Sequence, residues 1–148
     1  RQFEAKCVIG LGGGSAMDVA KMASLIAGGE KGAMHYALMA NPFPKKQVKS
    51  IMIPTTSGTG AEVTSTVVFS DEHKRKVWGW DEKMAPDLAI VDPTLTVALP
   101  RFLTAATTLD ALVHAIEACA GKRSNPFIEA FSLQAIQLIG ENFEKVLR

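Results

Sequence analysis

The sequence predicts an α/β portion over residues 1–99, followed by an all-α portion over residues 100–148. Short β-branched, apolar runs that end at glycine or proline occur only before residue 100, and the first leads into a helical pattern. After Pro100 the pattern changes to two long stretches of helical periodicity separated by Gly121. These observations place the boundary between the two portions near residue 100.

The first unit of the α/β portion is a strand, a glycine-rich loop and a helix. KCVIGLGGG is short and apolar, and the following SAMDVAKMASLIAGG spaces apolar residues at helical intervals. Ser15 stands where a helix N-cap belongs, with Asp18 three residues later. Because such a turn offers backbone N–H groups and a helix N-terminus to a phosphate, Gly13, Gly14 and Ser15 are candidate cofactor residues. An ordinary tight turn is the alternative.

A second loop with similar chemistry follows the next strand. SIMIPTTSGTG combines a buried strand at 51–53 with a proline and a turn rich in glycine and hydroxyl groups. Hydroxyls suit phosphate or ribose oxygens, although an ordinary polar turn is the alternative. Two such loops at strand ends favour a nucleotide in the crevice above the sheet, which indicates a Rossmann-like fold. The hydroxyl-bearing candidates are Thr55, Thr56, Ser57 and Thr59.

The remaining elements complete the two portions. EVTSTVVFS and KVWGW predict a β-hairpin around residues 71–74, and DLAIVDP predicts one more buried strand. RFLTAATTLDALVHAIEACAG predicts a helix capped by Thr107 or Thr108, and Ser124, Asn125 and Pro126 signal the start of a second helix.

Asp110 and His114 are a candidate pair of metal ligands. Residues four apart share one helix face, and Glu117 lies a further turn along it. A carboxylate with an imidazole suits Fe(II), Zn or Mn. The alternative is that Asp110 lies in the first helical turn, where it complements the helix dipole, and that His114 packs in a core. A catalytic metal needs at least three protein ligands, and the other histidines show no ligand spacing.

Composition excludes several classes of partner. With 16 basic and 15 acidic residues, the chain has no basic field for nucleic acid or an anionic membrane. No apolar run approaches the roughly 20 residues of a bilayer span. Two distant cysteines, Cys7 and Cys119, predict reduced, buried thiols and a cytoplasmic protein. The chain begins in a strand and ends in a helix, which predicts a piece of a longer protein.

Five segments together resemble the iron-containing, or group III, alcohol dehydrogenase family. They are GLGGGSAMDVAK, IPTTSGTGAEVT, DLAIVDPTL, TAATTLDALVHAIEA and SNPFIEAFSLQAI, in family order over nearly the whole chain. The resemblance implies a middle fragment, inactive alone, that joins the end of a dinucleotide-binding domain to the start of a helical metal-binding domain. It implies hydride transfer between an alcohol or aldehyde and NAD or NADP, with Fe(II), or alternatively Zn, as the metal. The full-length protein is then expected to be a homodimer.

The resemblance also implies site residues. The glycine loop holds the pyrophosphate, Asp18 lies near the nicotinamide, the threonine-rich turn contacts the cofactor and a hairpin lysine contacts the ribose. These roles fall on Gly13, Gly14, Ser15, Asp18, Thr55, Thr56, Ser57, Thr59, Thr64 and Lys76. Asp110 and His114 match the first two metal ligands, and two later histidines are expected beyond residue 148. One departure is Thr108, where the family usually has glycine.

Three alternatives remain open from the sequence. A glycerol dehydrogenase or a dehydroquinate synthase-like enzyme shares the architecture, although TTSGTGAEVT argues against both. A non-catalytic nucleotide-binding module would use Asp110 and His114 only as cap and core residues. A structural remnant lacking both termini would have no activity.

Overall fold

The computed structural model describes residues 4–147, which form two compact units. The first unit contains residues 1–55 and 60–95, and the second contains residues 56–59 and 96–148. The division between the two units falls between Leu95 and Thr96, and the sequence-based domain boundary near residue 100 stays a prediction. The short segment 56–59, within the threonine-rich turn, groups with the helical unit rather than with the α/β unit.

The first unit is built on a three-stranded parallel sheet. Strand β1 (Cys7–Gly12) pairs with β2 (Lys49–Pro54), which pairs with a two-residue strand, β5 (Leu88–Ala89). Helix α1 (Gly14–Ile26) follows β1 and packs on one face of the sheet. The core beneath it consists of Met17, Ala20, Met52 and Ala61, with Val8 at its margin. The predicted strand–loop–helix unit is thereby confirmed.

A β-hairpin packs against the other side of α1. Strands β3 (Thr66–Ser70) and β4 (Lys76–Trp80) are antiparallel, as the sequence predicts. Short 3-10 turns occur at Ala33–Met39, Glu82–Met84 and Pro93–Thr96, the first of them in a stretch without a predicted element. The second core joins α1 to the hairpin through Met22, Leu25, Tyr36, Phe43, Val67 and Met84.

Two burial predictions for this unit are wrong. DLAIVDP was expected to be a buried strand, but its ordered pairing covers only two residues, and Leu88 is 49% exposed. Cys7, expected to be buried, is exposed; in the second unit Cys119, also expected to be buried, is only half-buried. The reason for Leu88 and Cys7 is that α1 covers one face of the sheet, whereas Ile9 and Leu11 on the opposite face are exposed. Apolar sequence alone does not say which face has a partner.

Gly10 allows α1 to approach the sheet closely. A Cβ at this position would lie 2.8 Å from Ala20 Cβ and 3.2 Å from Met17 Cα. We expect Gly10→Ala to destabilise the protein by about 1–3 kcal/mol, because a packed helix must move to accommodate the methyl group. The denaturant midpoint of unfolding measures this loss. Gly32→Ala is the control, because a Cβ at Gly32 would meet nothing within 4 Å. Equal midpoints for the two variants would contradict the prediction.

Lys46 anchors the amino-terminal end of β2, away from the glycine loop. Its ammonium donates to Ser50 Oγ at 2.9 Å and to the Ala85 carbonyl at 3.0 Å, and it forms an ion pair with Asp87 at 2.7 Å. The hydrogen bond from Lys46 is the main reason that the pKa of Asp87 lies below its ordinary value. This cluster fixes the start of β5 beside β2.

The second unit contains two packed helices, α2 (Arg101–Ala120) and α3 (Pro126–Val146). Asn125 caps α3 by accepting from the backbone N–H groups of Phe127 and Ile128, which confirms the predicted start. The predicted cap of α2 is wrong, because the helix begins six residues before Thr107, after Pro100. The hydroxyls of Thr107 and Thr108 donate instead to carbonyls one turn earlier, at 2.9 and 2.7 Å.

Helix α2 meets the length and composition of a membrane-crossing helix. It has 20 residues, and its 18-residue window of mean hydropathy 1.2 is 6% buried. The expectation that no apolar stretch approaches this length is therefore wrong on this criterion. The physical reason is that α2 begins at Arg101. The stretch in which a cap at Thr107 or Thr108 was predicted is therefore part of one continuous helix. One helix of this kind is weak evidence for a membrane span.

Candidate functional site

The glycine loop presents unpaired backbone donors at the start of α1. Gly12 has a φ of +147°, which side-chain-bearing residues rarely adopt, and Gly13 is the N-cap in extended conformation. The N–H groups of Ala16 and Met17 donate to the Gly13 carbonyl, whereas those of Gly14 and Ser15 have no partner among the described residues. Two free donors at a helix N-terminus form a suitable site for a phosphate oxygen.

Ser15 does not cap the helix, contrary to the prediction. The helix begins at Gly14, and its N-cap makes no side-chain hydrogen bond. Ser15 is exposed within the first turn. The three glycines allow the chain to turn before Ser15 is reached, so that its side chain remains available.

The second loop begins beside the first. The Thr55 N–H donates to the Gly12 carbonyl at 2.9 Å, which continues the parallel pairing of β1 and β2 beyond Pro54. Gly13 and Thr55 therefore leave the same edge of the sheet. The carboxyl ends of parallel strands are where α/β folds bind nucleotides.

Asp18 is committed to contacts inside the protein. It is 8% exposed; its Oδ2 accepts from the Val68 N–H at 2.9 Å, and its Oδ1 lies 3.0 Å from Lys21 Nζ. Oδ2 is thus hydrogen-bonded to the hairpin, whereas the buried Oδ1 forms an ion pair with Lys21 without a hydrogen bond. The resemblance implies that Asp18 lies near the nicotinamide, but its carboxylate is buried against the hairpin and Lys21.

Thr64 and Lys76 differ in accessibility. Thr64 is half-buried, and its hydroxyl oxygen accepts from Lys21 Nζ at 3.1 Å. Lys76 is exposed at the first position of β4, opposite Ser70. It shares the outward face of that strand with Trp78 and Trp80, which are 47% and 45% exposed. Lys76 is thus available to a ligand, whereas Thr64 is held by a neighbour.

In the second unit, the turn over residues 56–59 packs against α2. A Cβ at Gly58 would lie 2.5 Å from the Thr107 carbonyl oxygen and 2.9 Å from Thr107 Cβ. Only glycine permits this approach. The turn carries the predicted cofactor residues Thr56, Ser57 and Thr59, and α2 carries Asp110 one turn beyond Thr107.

Asp110 and His114 lie together on the same face of α2. Asp110 Oδ2 is 3.9 Å from His114 Nδ1, and the two side chains are 45% and 52% exposed. One ion that binds both donors would hold them about 3.4 Å apart, because two bonds of about 2.1 Å meet at a tetrahedral angle, so a small side-chain movement would close the 3.9 Å separation. A hard carboxylate and an imidazole also suit Fe(II) or Zn. Residues 4–147 contain no group of three His, Cys, Asp or Glu that could hold a metal, so Glu117 does not complete the site.

The cap alternative for Asp110 is wrong, because Asp110 is the tenth residue of α2 rather than a residue of its first turn. His114 is 52% exposed among the described residues, and its packing in a core of the longer protein stays an alternative. Thr108, the departure from the family pattern, satisfies its hydroxyl within the helix by donating to Thr104.

Sequence reasoning missed Lys21, the most enclosed charged side chain of the first unit. Lys21 is 1% exposed, and burial lowers the pKa of its ammonium, an effect that the Asp18 carboxylate opposes. A signal was present, because residues 17, 20, 21, 24 and 25 form one helix face. A lysine on that otherwise largely apolar face required a polar partner.

The first unit is a Rossmann-like nucleotide-binding fold, and the helical unit carries a carboxylate–imidazole pair suited to a metal ion. The model of the family described as iron-containing alcohol dehydrogenase matches residues 1–93, and that of the C-terminal part of the Fe-containing family matches residues 104–148. The chain belongs to the iron-containing alcohol dehydrogenase family.

Individual relatives agree with this assignment. The chain is 43% identical to long-chain-alcohol dehydrogenase 1 of Geobacillus thermodenitrificans over 95% of its own length, which is 36% of that protein. It is 40% identical to NAD-dependent methanol dehydrogenase of Bacillus methanolicus over 99% of its length, or 39% of that protein. The structure superposes on the NAD+ complex of sulfoacetaldehyde reductase from Bifidobacterium kashiwanohense with a TM-score of 0.92 at 34% identity, covering 96% of this chain and 38% of that one. The chain thus spans well under half of each relative's length.

Proposed function

We propose that the full-length protein is a metal-dependent alcohol dehydrogenase, or aldehyde reductase, that transfers hydride between a small alcohol or aldehyde and NAD or NADP. The observation that carries this proposal is the combination of an open glycine loop in one unit with an Asp–His pair on one helix face in the other. The family membership supports the same chemistry. Because the chain covers 36–39% of its relatives, the activity belongs to the longer protein.

The residues of the first unit bind the dinucleotide. The free N–H groups of Gly14 and Ser15 donate to pyrophosphate oxygens, and the exposed ammonium of Lys76 donates to the ribose. Thr55, at the same strand end as the glycine loop, supplies a hydroxyl. Thr56, Ser57 and Thr59, in the second unit, are candidate cofactor residues on the family resemblance alone. We propose that these residues bind the cofactor.

The residues of α2 hold the metal. A bound Fe(II) or Zn ion would supply Lewis acidity toward the substrate oxygen. Asp110 contributes a negative oxygen and His114 a neutral imidazole nitrogen. Because two ligands do not fix a coordination geometry, we expect residues 1–148 alone to have no turnover.

The setting of the protein is also proposed. Two distant free cysteines favour a cytoplasmic enzyme with a small-molecule substrate. The near-neutral charge balance provides no basic field for a nucleic-acid or anionic-membrane partner. The exposed apolar residues of α2 are then covered by the remainder of the helical domain. We further propose that the full-length protein is a homodimer.

Metal reconstitution tests the proposed function. The full-length protein, prepared metal-free, is given Fe(II) or Zn under exclusion of oxygen, and alcohol-dependent NADH or NADPH formation is followed by absorbance. We expect turnover only after metal addition. Dinucleotide binding without metal-dependent turnover would contradict the proposal and favour the binding-module alternative.

A further inference from the structure

The buried ammonium of Lys21 has five oxygen neighbours, four of them on segment 61–66. Its ammonium lies 2.9 Å from the Ala61 carbonyl, 3.2 and 3.1 Å from the Thr64 carbonyl and hydroxyl oxygens, and 2.7 Å from the Thr66 carbonyl. The Asp18 carboxylate is a fifth neighbour at 3.0 Å. Burying an ammonium is costly unless it is fully paired, whereas a methionine would fill the same space without that cost. The charge is therefore expected to have a role beyond packing.

Asp18 and Lys21 pair with backbone groups along one edge of β3, as a neighbouring strand would. The Val68 N–H donates to Asp18, and the Thr66 carbonyl accepts from Lys21, so two edge groups of the strand are paired with α1. Because residues three apart lie on one helix face, one acceptor and one donor meet alternate residues of the strand. This arrangement fixes the register of β3 along α1, which apolar packing alone does not do.

The same contacts connect the glycine loop to other candidate cofactor residues. Helix α1 begins at that loop, Lys21 holds segment 61–66 directly, and β3 positions Lys76 through its pairing with β4. A displacement of the Lys21 ammonium would shift Thr64 and the hairpin relative to the phosphate-binding donors.

We propose that the Asp18–Lys21 pair is a positioning device for dinucleotide binding, which holds segment 61–66 and the hairpin in register with the glycine loop. This inference rests on the proposed function. Lys21 acts through the segment it holds, without touching the cofactor. The planar guanidinium of an arginine cannot direct its N–H groups as the compact Lys21 ammonium does, so arginine is not a conservative replacement.

Direct dinucleotide binding to the full-length protein tests the proposal. We expect Lys21→Met to raise the Kd for NAD or NADP at least about tenfold, because small misplacements of binding groups have effects of this size. The double variant Asp18→Asn/Lys21→Met removes the ion pair without leaving a buried unpaired carboxylate, and we expect the same rise. The matched control is Lys46→Met. This substitution likewise removes a lysine ammonium with several polar contacts, three in this case, but at the amino-terminal end of β2, away from the glycine loop. It is expected to lower thermal stability and to leave the Kd within about twofold.

Three outcomes would overturn the proposal. Lys21→Met could lose stability with an unchanged Kd, or Lys46→Met could raise the Kd equally. If the Lys21 variants do not fold, hydrogen exchange of the wild-type protein decides: we expect added dinucleotide to slow exchange at the Val68 amide but not at the Asp87 amide. Equal effects at both amides, or none at Val68, would contradict the proposal. If the wild-type protein binds no dinucleotide, the proposed function itself fails, so the two failures are distinguishable.

Discussion

Replacing His114 with alanine is expected to remove bound metal and metal-dependent turnover from the full-length protein. The substitution deletes one of the two donors that lie 3.9 Å apart on α2, and the remaining carboxylate cannot retain the ion at its original affinity. Loss of an outer-shell partner already lowers metal affinity or activity about 10–100-fold, so we expect at least the upper end of that range for a direct ligand. Metal content of the purified protein and kcat/KM for the alcohol measure the effect, and Asp110→Ala is expected to behave alike.

The matched control for this prediction is His73→Ala. His73 is an exposed histidine beside a carboxylate, with Glu72 3.6 Å away, but it lies in the hairpin turn of the first unit. Metal content and turnover should therefore equal those of the wild type. Wild-type activity in His114→Ala would show that the pair holds no catalytic metal. Dinucleotide affinity should be unchanged in both variants. This result would distinguish the proposed metal site from the proposed dinucleotide-binding residues.

Gly58→Ala is expected to have the second-largest effect, because it disturbs both α2 and the turn that carries the proposed cofactor residues of the second unit. The added Cβ would lie 2.5 Å from the Thr107 carbonyl oxygen and 3.0 Å from the Thr107 carbonyl carbon, which are backbone atoms that cannot rotate away. We expect a loss of about 1–3 kcal/mol in stability. Displacement of Thr56, Ser57 and Thr59 should also raise the dinucleotide Kd about tenfold. Thermal unfolding and binding titration measure the two effects.

Gly32→Ala separates this clash from a general effect of alanine. A Cβ at Gly32 meets nothing within 4 Å, and its φ of −77° suits any residue. Its stability should be unchanged or raised by up to about 1 kcal/mol, through the lower entropy of the unfolded chain. A Gly58→Ala variant that matches Gly32→Ala in stability and in dinucleotide affinity would contradict the close packing of the turn on α2.

Several elements could be predicted because their signals are local. The strand, glycine loop and helix from Cys7 to Ile26 follow from a β-branched run, a glycine cluster and helical spacing. The start of α3 follows from Asn125 and Pro126, since a capping side chain and a proline at the first position act within one turn. The Asp110–His114 pair was also visible, because four-residue spacing on any helix brings two side chains to one face.

Other features could not be predicted because the local signal allows more than one outcome. Threonines favour helix caps when their hydroxyls meet free N–H groups, but Thr107 and Thr108 donate to carbonyls of a helix that had already begun after Pro100. The exposure of Leu88 depends on which face of the sheet is covered, and a run of apolar residues contains no such information.

The sequence by itself determined the order of the elements, the two loops at strand ends, the spacing that brings Asp110 and His114 to one face of α2, and the family to which the chain belongs. Only the tertiary structure decided that Lys21 meets oxygens 40–45 positions away and that Gly58 lies against Thr107. The physical reason is that hydrophobic spacing, caps and turns act over a few residues. A buried charge or a close backbone approach instead depends on which distant segment the folded chain places beside it.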